Sequence, residues 1–147
     1  MNSRREKTVP RTETILVVDD EPEVCKLAER ILRQDQFQVL SAISGPAALA
    51  ELQQHAVALV ILDICLPGMD GIQVLKKIRE THKDLPVVML TGHADLDSAR
   101  EAMRLGAYDY ITKPFNIDLM KKIVREAAAR GTAARGRGDV CSVACVE

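Results

Sequence analysis

Apolar residues first gather at Thr14-Ile-Leu-Val-Val18, a short β-branched run, and the spacing then changes: Val24, Leu27, Ala28, Ile31 and Leu32 fall at i, i+3, i+4, i+7 and i+8. The first pattern predicts a strand and the second one face of a helix. The same alternation recurs down the chain. Residues 37–42, 57–62, 86–90 and 108–112 read as further strands, each followed by a helical pattern over 45–54, 71–81, 95–105 and 116–130. Punctuation supports these breaks: Leu66-Pro-Gly-Met-Asp-Gly71 carries turn residues, Gly106 closes the fourth helix, and Asn116 is placed to cap the fifth.

Strands 1, 3 and 4 are nearly continuous apolar runs, without the alternation of a half-exposed strand. A parallel sheet covered by helices on both faces requires that. The predicted fold class is therefore α/β, a doubly wound five-stranded parallel sheet with strand order 2-1-3-4-5. Residues 1–13 are polar and carry Arg4, Arg5, Lys7 and Arg11 without hydrophobic period, and 131–147 lose all period. They are expected to be an extension and a tail around one domain at 14–130.

Composition narrows the function classes. A chain of 147 residues with 47% hydrophobic and 28% charged residues can bury a core without covalent staples. A net charge of -1 is ordinary for a globular protein and 3% aromatic residues give no aromatic-rich base-stacking surface, so nucleic acid is not an expected partner. No apolar run approaches the ~20 residues that span a bilayer, and the N-terminus lacks a signal-peptide core, so the expected location is cytoplasmic, with no membrane partner. Cys25, Cys65, Cys141 and Cys145 lack the density of a disulfide scaffold and are read as reduced thiols. The Cys141/Cys145 pair has no third or fourth metal ligand nearby in sequence and is read as chance or tail chemistry.

In open α/β sheets, ligands bind beyond the carboxyl ends of the strands, where strand order reverses. Strand 1 ends in Asp19-Asp20, strand 3 in Asp63, strand 4 in Thr91 and strand 5 in Lys113. Three carboxylates in one crevice repel one another, and a hard cation with oxygen ligands relieves that; magnesium, as Mg2+, is the natural candidate. Lys113 adds a positive point charge and Thr91 a hydroxyl donor. The set suits phosphoryl transfer onto a carboxylate. With an ordinary pKa of about 3.9 an Asp needs no general base, and the difficulty is the approach of one anion to another.

Four segments resemble those of response-regulator receiver domains of two-component systems: Asp19-Asp-Glu-Pro22, Val60-Ile-Leu-Asp-Ile-Cys-Leu-Pro-Gly-Met-Asp-Gly71, Leu90-Thr-Gly-His93 and Tyr110-Ile-Thr-Lys-Pro-Phe115. The resemblance covers about Thr14 to Arg130 and is specific because all four stand in order at predicted strand ends. It implies a (βα)5 flavodoxin-like fold and a phosphoaccepting signalling protein rather than a turnover enzyme. By the resemblance Asp63 is the phosphoacceptor, while Asp19, Asp20, Asp63 and the Cys65 backbone carbonyl hold Mg2+. Thr91 and Tyr110 form a switch pair, Lys113 contacts the phosphoryl group, and Pro114 follows a bond that is often cis in the family. Cys65 and His93 stand where the family tunes the lifetime of the aspartyl phosphate.

The implied partners are a sensor histidine kinase or histidine phosphotransfer protein, and a downstream effector or second copy meeting the face of helix 4, strand 5 and helix 5. The run Thr91-Gly-His-Ala-Asp95 also resembles segments of multidomain transcriptional regulators.

Plainer readings compete. Asp19 and Asp20 can open a helix before Pro22, but one carboxylate suffices for that and the second adds repulsion. Lys113 alone would pass as a solvated lysine, and Tyr110 as a fixed core aromatic. His55 and His82 read as surface residues at helix ends, and Lys76-Lys77 and Lys121-Lys122 as solvated faces. Two other functions stay open: a Mg2+-dependent phosphohydrolase of the haloacid-dehalogenase type, and a receiver-like module that binds partners without phosphorylation. The first expects Asp-x-Asp after strand 1, where this chain has Asp19-Asp-Glu21, and the intact acceptor set speaks against the second.

Overall fold

A computed structural model describes residues 13–92 and 96–130. Strands β1 (Thr14–Val18), β2 (Gln38–Ala42), β3 (Leu59–Asp63), β4 (Val87–Thr91) and β5 (Asp109–Thr112) alternate with helices α1 (Pro22–Gln34), α2 (Gly45–Gln54), α3 (Gly71–Thr81) and α4 (Leu96–Arg104), and α5 follows at residues 117–130. The sheet order is β2-β1-β3-β4-β5 and every pairing is parallel. The doubly wound α/β fold with the 2-1-3-4-5 order is thus observed.

Alternate residues of the central strands feed two separate cores. Ile15, Val17, Leu59, Ile61, Val88 and Leu90 pack with Ala28, Leu32, Met120 and Val124 beneath α1 and α5. Leu16, Val18, Val60, Leu62, Val87 and Met89 pack with Leu52, Val74, Leu75, Ile78 and Ala102 beneath α2, α3 and α4. This is why those strands carry no polar position until their carboxyl ends.

Two strands run one residue beyond their apolar stretch. Asp63 pairs in register with Leu90, and the ladder continues through the Ile64 N–H to the Leu90 carbonyl at 3.0 Å. A polar side chain does not end a strand whose backbone still has partners. At the other end β3 starts later than its hydrophobicity suggests: Val57 and Ala58 are buried but precede it. On α1 the buried stripe is Cys25, Ala28, Ile31 and Leu32, whereas Leu27, expected on that face, is 39% exposed. Cys25 behaves as a small apolar residue and turns the stripe toward itself.

The loop after Asp63 is held close to the sheet. Asp70 caps α3 by accepting from the Gln73 N–H at 2.9 Å, and the Gln73 side chain accepts in return from the Asp70 N–H at 3.1 Å. The Gly71 N–H donates to the Ile64 carbonyl at 2.8 Å, and a Cβ on Gly71 would run into the Asp63 carbonyl oxygen. Only glycine lets the helix start approach the acceptor strand this closely. Asn116 accepts from the Leu119 N–H at 2.9 Å, the cap read from the sequence.

Arg79 ties the opposite end of the sheet together. Its guanidinium donates to the carbonyls of His82 at 3.0 Å, Leu85 at 2.8 Å and Gly106 at 2.7 Å, joining the end of α3, the approach to β4 and the turn after α4. Arg79→Ala leaves three carbonyls to find other donors, and a loss of about 2 kcal/mol is expected in urea denaturation. Arg79→Lys should recover only part of it, because one ammonium cannot reproduce the planar fork. A midpoint unchanged in Arg79→Ala would show that water replaces the clamp at no cost.

Candidate functional site

Parallel pairing brings the carboxyl ends of β1, β3, β4 and β5 to one edge, and the polar residues there meet. One carboxylate oxygen each of Asp19, Asp20 and Asp63 lies within 4.8 Å of the others. Asp19 is fully buried, Asp63 nearly so and Asp20 exposed. Lys113 reaches across from β5: its Nζ stands 2.9 Å from Asp19 Oδ2 and donates to Asp63 Oδ2 at 3.1 Å. Its side chain is 23% exposed, so the ammonium faces water on one side only.

Local backbone fixes the two buried carboxylates. Asp19 Oδ1 accepts the Glu21 N–H at 2.9 Å, and Asp63 Oδ1 accepts the Cys65 N–H at 3.1 Å. Each Asp thereby folds the chain just past its strand into a tight turn. Behind Asp19, the Cys25 thiol donates to its backbone carbonyl at 3.4 Å. Burial, with the nearby Asp19 charge, pushes that thiol up to about 11, so Cys25 stays protonated and unreactive.

By sequence alone Asp63 is an ordinary carboxyl. In the fold, burial and then the Asp19 charge raise it to about 6, with the Cys65 N–H and Lys113 pulling the other way. It is still mostly ionised at neutral pH, though less completely than its sequence suggested. For Lys113, burial disfavours the charged form, but Asp19 and Asp63 outweigh it and raise the pKa, so the ammonium is held.

Thr91 is fully buried at the end of β4, its hydroxyl donating to the Gly92 carbonyl at 3.0 Å, and the Lys113 N–H donates to the Thr91 carbonyl at 2.8 Å. Tyr110 is 37% exposed on β5, so the fixed core aromatic weighed from sequence is not what the fold contains. The Lys113–Pro114 bond is cis. Cys65 is exposed and lines an open cleft of about 500 Å³ with Asp20, Ile64, Asp70 and Ser98. His55 and His82 lie at helix ends away from the acidic group, beside Glu51 and Thr81. His93, Cys141 and Cys145 lie outside the described residues, as do nearly all of the expected extension and tail.

One neighbour was not nominated from sequence. Glu21 Oε1 lies 3.5 Å from the Lys113 Nζ, on the solvent side. Its adjacency to Asp19-Asp20 was the available signal, but the segment alone does not say which acids reach the lysine.

The residues fit a hard divalent cation. Among the described residues, Asp19 Oδ2 is a buried oxygen whose only cationic neighbour is Lys113, and the converging donors are all carboxylates, the ligand type Mg2+ prefers. Among the described residues no helix is long and apolar enough to cross a membrane.

Comparison with known proteins adds independent weight. Residues 15–125 match the response regulator receiver domain family. The nitrogen assimilation regulatory protein NtrX of Azorhizobium caulinodans is 40% identical over 115 residues, which cover 77% of this chain and 25% of that protein. The regulatory protein VanRc of Enterococcus gallinarum is 44% identical over 106 residues, 71% of this chain and 45% of that protein. The chain thus spans less than half the length of these relatives. The crystal structure of the receiver domain of NtrX from Brucella abortus superposes with a TM-score of 0.76 at 40% identity, covering 78% of this chain and 98% of that one. With the matched segment spanning the whole sheet and the acidic edge, this chain belongs to the response regulator receiver domain family.

Proposed function

We propose that this protein is a phosphoaccepting response regulator of a two-component system, taking a phosphoryl group onto Asp63 and changing its affinity for a partner as a result. The observation that carries the reading is Lys113, whose single ammonium bridges the buried carboxylates of Asp19 and Asp63 at the switch point of the sheet. Two buried anions held by one cation leave excess negative charge that a divalent cation would relieve, and the lysine together with that cation would then balance phosphoryl oxygens.

In the proposed transfer, an Asp63 carboxylate oxygen forms a bond to phosphorus as the N–P bond of a phosphohistidine donor breaks, and the imidazole leaves with the electron pair. The Cys65 N–H orients the Asp63 carboxylate, and the Lys113 ammonium balances charge on the phosphoryl oxygens. Asp19, Asp20, Asp63 and the Cys65 carbonyl would hold Mg2+, which supplies neutralising charge to the phosphoryl oxygens when bound. Phosphorylation adds about -1.5 to -2 charges at this edge. The Thr91 hydroxyl then turns from Gly92 toward the new oxygens, and Tyr110 moves inward from its exposed position behind it. Cys65 and His93 set how fast water reaches the acyl phosphate. The protein turns over only its own phosphorylation and dephosphorylation.

A sensor histidine kinase or phosphotransfer protein in the cytoplasm is the proposed donor. The proposed output is an effector protein or a second copy at the face of α4, β5 and α5, where Leu96, Met103, Tyr110, Ile117 and Leu119 are exposed. Exposed apolar side chains grouped on adjacent elements mark such surfaces.

Intact mass spectrometry after incubation with acetyl phosphate and Mg2+ tests the reading. The expected result is one phosphoryl adduct, labile to base and hydroxylamine, on the parent and none on Asp63→Asn. An adduct that survives Asp63→Asn would place the acceptor elsewhere, and slow continuous hydrolysis of a phosphomonoester would favour a phosphohydrolase.

A further inference from the structure

Lys113 has a third carboxylate neighbour that differs in kind from the other two. Asp19 and Asp63 are buried and fixed by backbone N–H groups, whereas the Glu21 side chain is 59% exposed and stands 3.5 Å from the Nζ, longer than a good hydrogen bond. An ammonium has three N–H donors. Two reach the buried carboxylates, and the exposed Glu21 side chain stands on a side of the ammonium open to water.

Among the described residues the Glu21 side chain makes no capping hydrogen bond, and beyond the general pull of the helix dipole on an acid at this end its charge meets only Lys113. Glu21 is the N-cap residue of α1, and the helix entry is fixed by Asp19 accepting the Glu21 N–H and by Pro22 in the first turn. The Glu21 carbonyl accepts the Val24 and Cys25 N–H groups at 3.0 and 3.3 Å, a backbone role that any residue would fill. Glu21 also lies outside the trio whose oxygens converge for a cation.

We infer that Glu21 is a positioning residue that acts through Lys113: its carboxylate occupies the open side of the ammonium at rest and must be displaced by the phosphoryl oxygens of the donor. The inference rests on the phosphoacceptor reading and adds a determinant of rate and donor charge to it. Glu21 keeps the solvent side of Lys113 neutralised while the site is empty of phosphoryl and slows capture of small anionic donors. Its exposed stem lets it swing into water when a donor that brings other contacts arrives. The transfer is otherwise unchanged: an Asp63 oxygen bonds to phosphorus, the P–O bond to acetate breaks, and acetate departs with the electron pair.

The experiment follows the rate of adduct formation with acetyl phosphate and Mg2+ in the parent, Glu21→Gln and Glu23→Gln. Glu23→Gln removes the same charge from the first turn of the same helix. At low ionic strength Glu21→Gln is expected to react about three- to fivefold faster than the parent, the size of one screened charge interaction near the surface. The gain should shrink toward parity at about 1 M salt, where the Debye length is about 3 Å. It should also be smaller with phosphoramidate, a less highly charged donor, and Glu23→Gln should show less of it. A structural effect of the substitution would follow neither salt nor donor charge. A Glu21→Gln rate equal to or below the parent's, a gain that persists in high salt, or an equal gain in Glu23→Gln would overturn the inference while a parent adduct left the phosphoacceptor reading standing. No adduct on the parent would overturn both.

Discussion

Lys113→Ala is expected to lower the stability of the metal-free protein by about 2–4 kcal/mol, somewhat under the about 3–5 kcal/mol for breaking a fully buried ion pair on one side, because the lysine is 23% exposed. The lysine bridges Asp19 and Asp63, whose side chains are 0% and 6% exposed. Without it, Asp19 Oδ2 keeps no cationic neighbour among the described residues, and two buried carboxylates face each other with only the Glu21 and Cys65 N–H groups to hold them. Two conditions should restore much of the loss. Acid should do so by protonating Asp63, and Mg2+ by supplying positive charge to the same oxygens. Phosphorylation by acetyl phosphate should fall about 100-fold, as for loss of one preorganised donor to a developing anion. Lys113→Arg should separate the two effects, retaining most of the stability through its charge while losing rate because a planar fork cannot occupy the same point between three acids. Urea denaturation in EDTA and in Mg2+, at pH 5 and 7.5, reads the first part. A Lys113→Ala midpoint equal to the parent's in EDTA would mean that the buried carboxylates do not depend on this lysine.

Much of this arrangement was legible in the chain because the chemistry sits at strand ends. A buried parallel strand admits no charge along its length, so the first polar residue after each apolar run marks the rim of the sheet: Asp19, Asp63, Thr91 and, past Thr112, Lys113. Their meeting also needed the strand order, since Lys113 and Asp63 are 50 residues apart. Four things were not legible. Asp63 looked like any Asp, because its raised pKa comes from burial and from Asp19, neither of which is a local property. Leu27 looked buried because periodicity weights leucine above cysteine, whereas α1 turns on Cys25. Glu21 looked like part of a helix start, because only the path of the Lys113 side chain shows which acids it reaches. The clamp of Arg79 on Gly106 was hidden for a similar reason: a surface arginine at the end of a helix has no sequence mark that distinguishes a three-carbonyl clamp from a solvated side chain.

Asp63→Asn is expected to stabilise the metal-free protein, and the sign follows from the direction of the acceptor's shift. In the unfolded chain the carboxyl titrates near its ordinary 3.8, and in the fold near 6. Between those values the folded state binds the proton more tightly, so relative to the variant the parent is most stable below about pH 4 and loses stability as pH rises through 6. Moving a carboxyl from about 4 to about 6 corresponds to about 3 kcal/mol above both values. Asparagine keeps one oxygen for the Cys65 N–H but places an amide NH2 where Asp63 Oδ2 accepts from Lys113, so the substitution removes one acceptor along with the charge, and the ammonium keeps Asp19. The variant should therefore exceed the parent by about 1–2 kcal/mol at pH 8 in EDTA, the charge relief less the acceptor lost to Lys113, and should not exceed it at pH 4. Mg2+ should narrow or reverse the difference, because a ligand stabilises the state that binds it, and the parent offers three converging carboxylates where the variant offers two. Urea midpoints at pH 4, 6 and 8, with EDTA and with Mg2+, read both parts. If the variant proved less stable than the parent at pH 8 in EDTA, the carboxylate would be at ease in its buried setting. The link between stored repulsion at this edge and its readiness for a cation and a phosphoryl group would then fail.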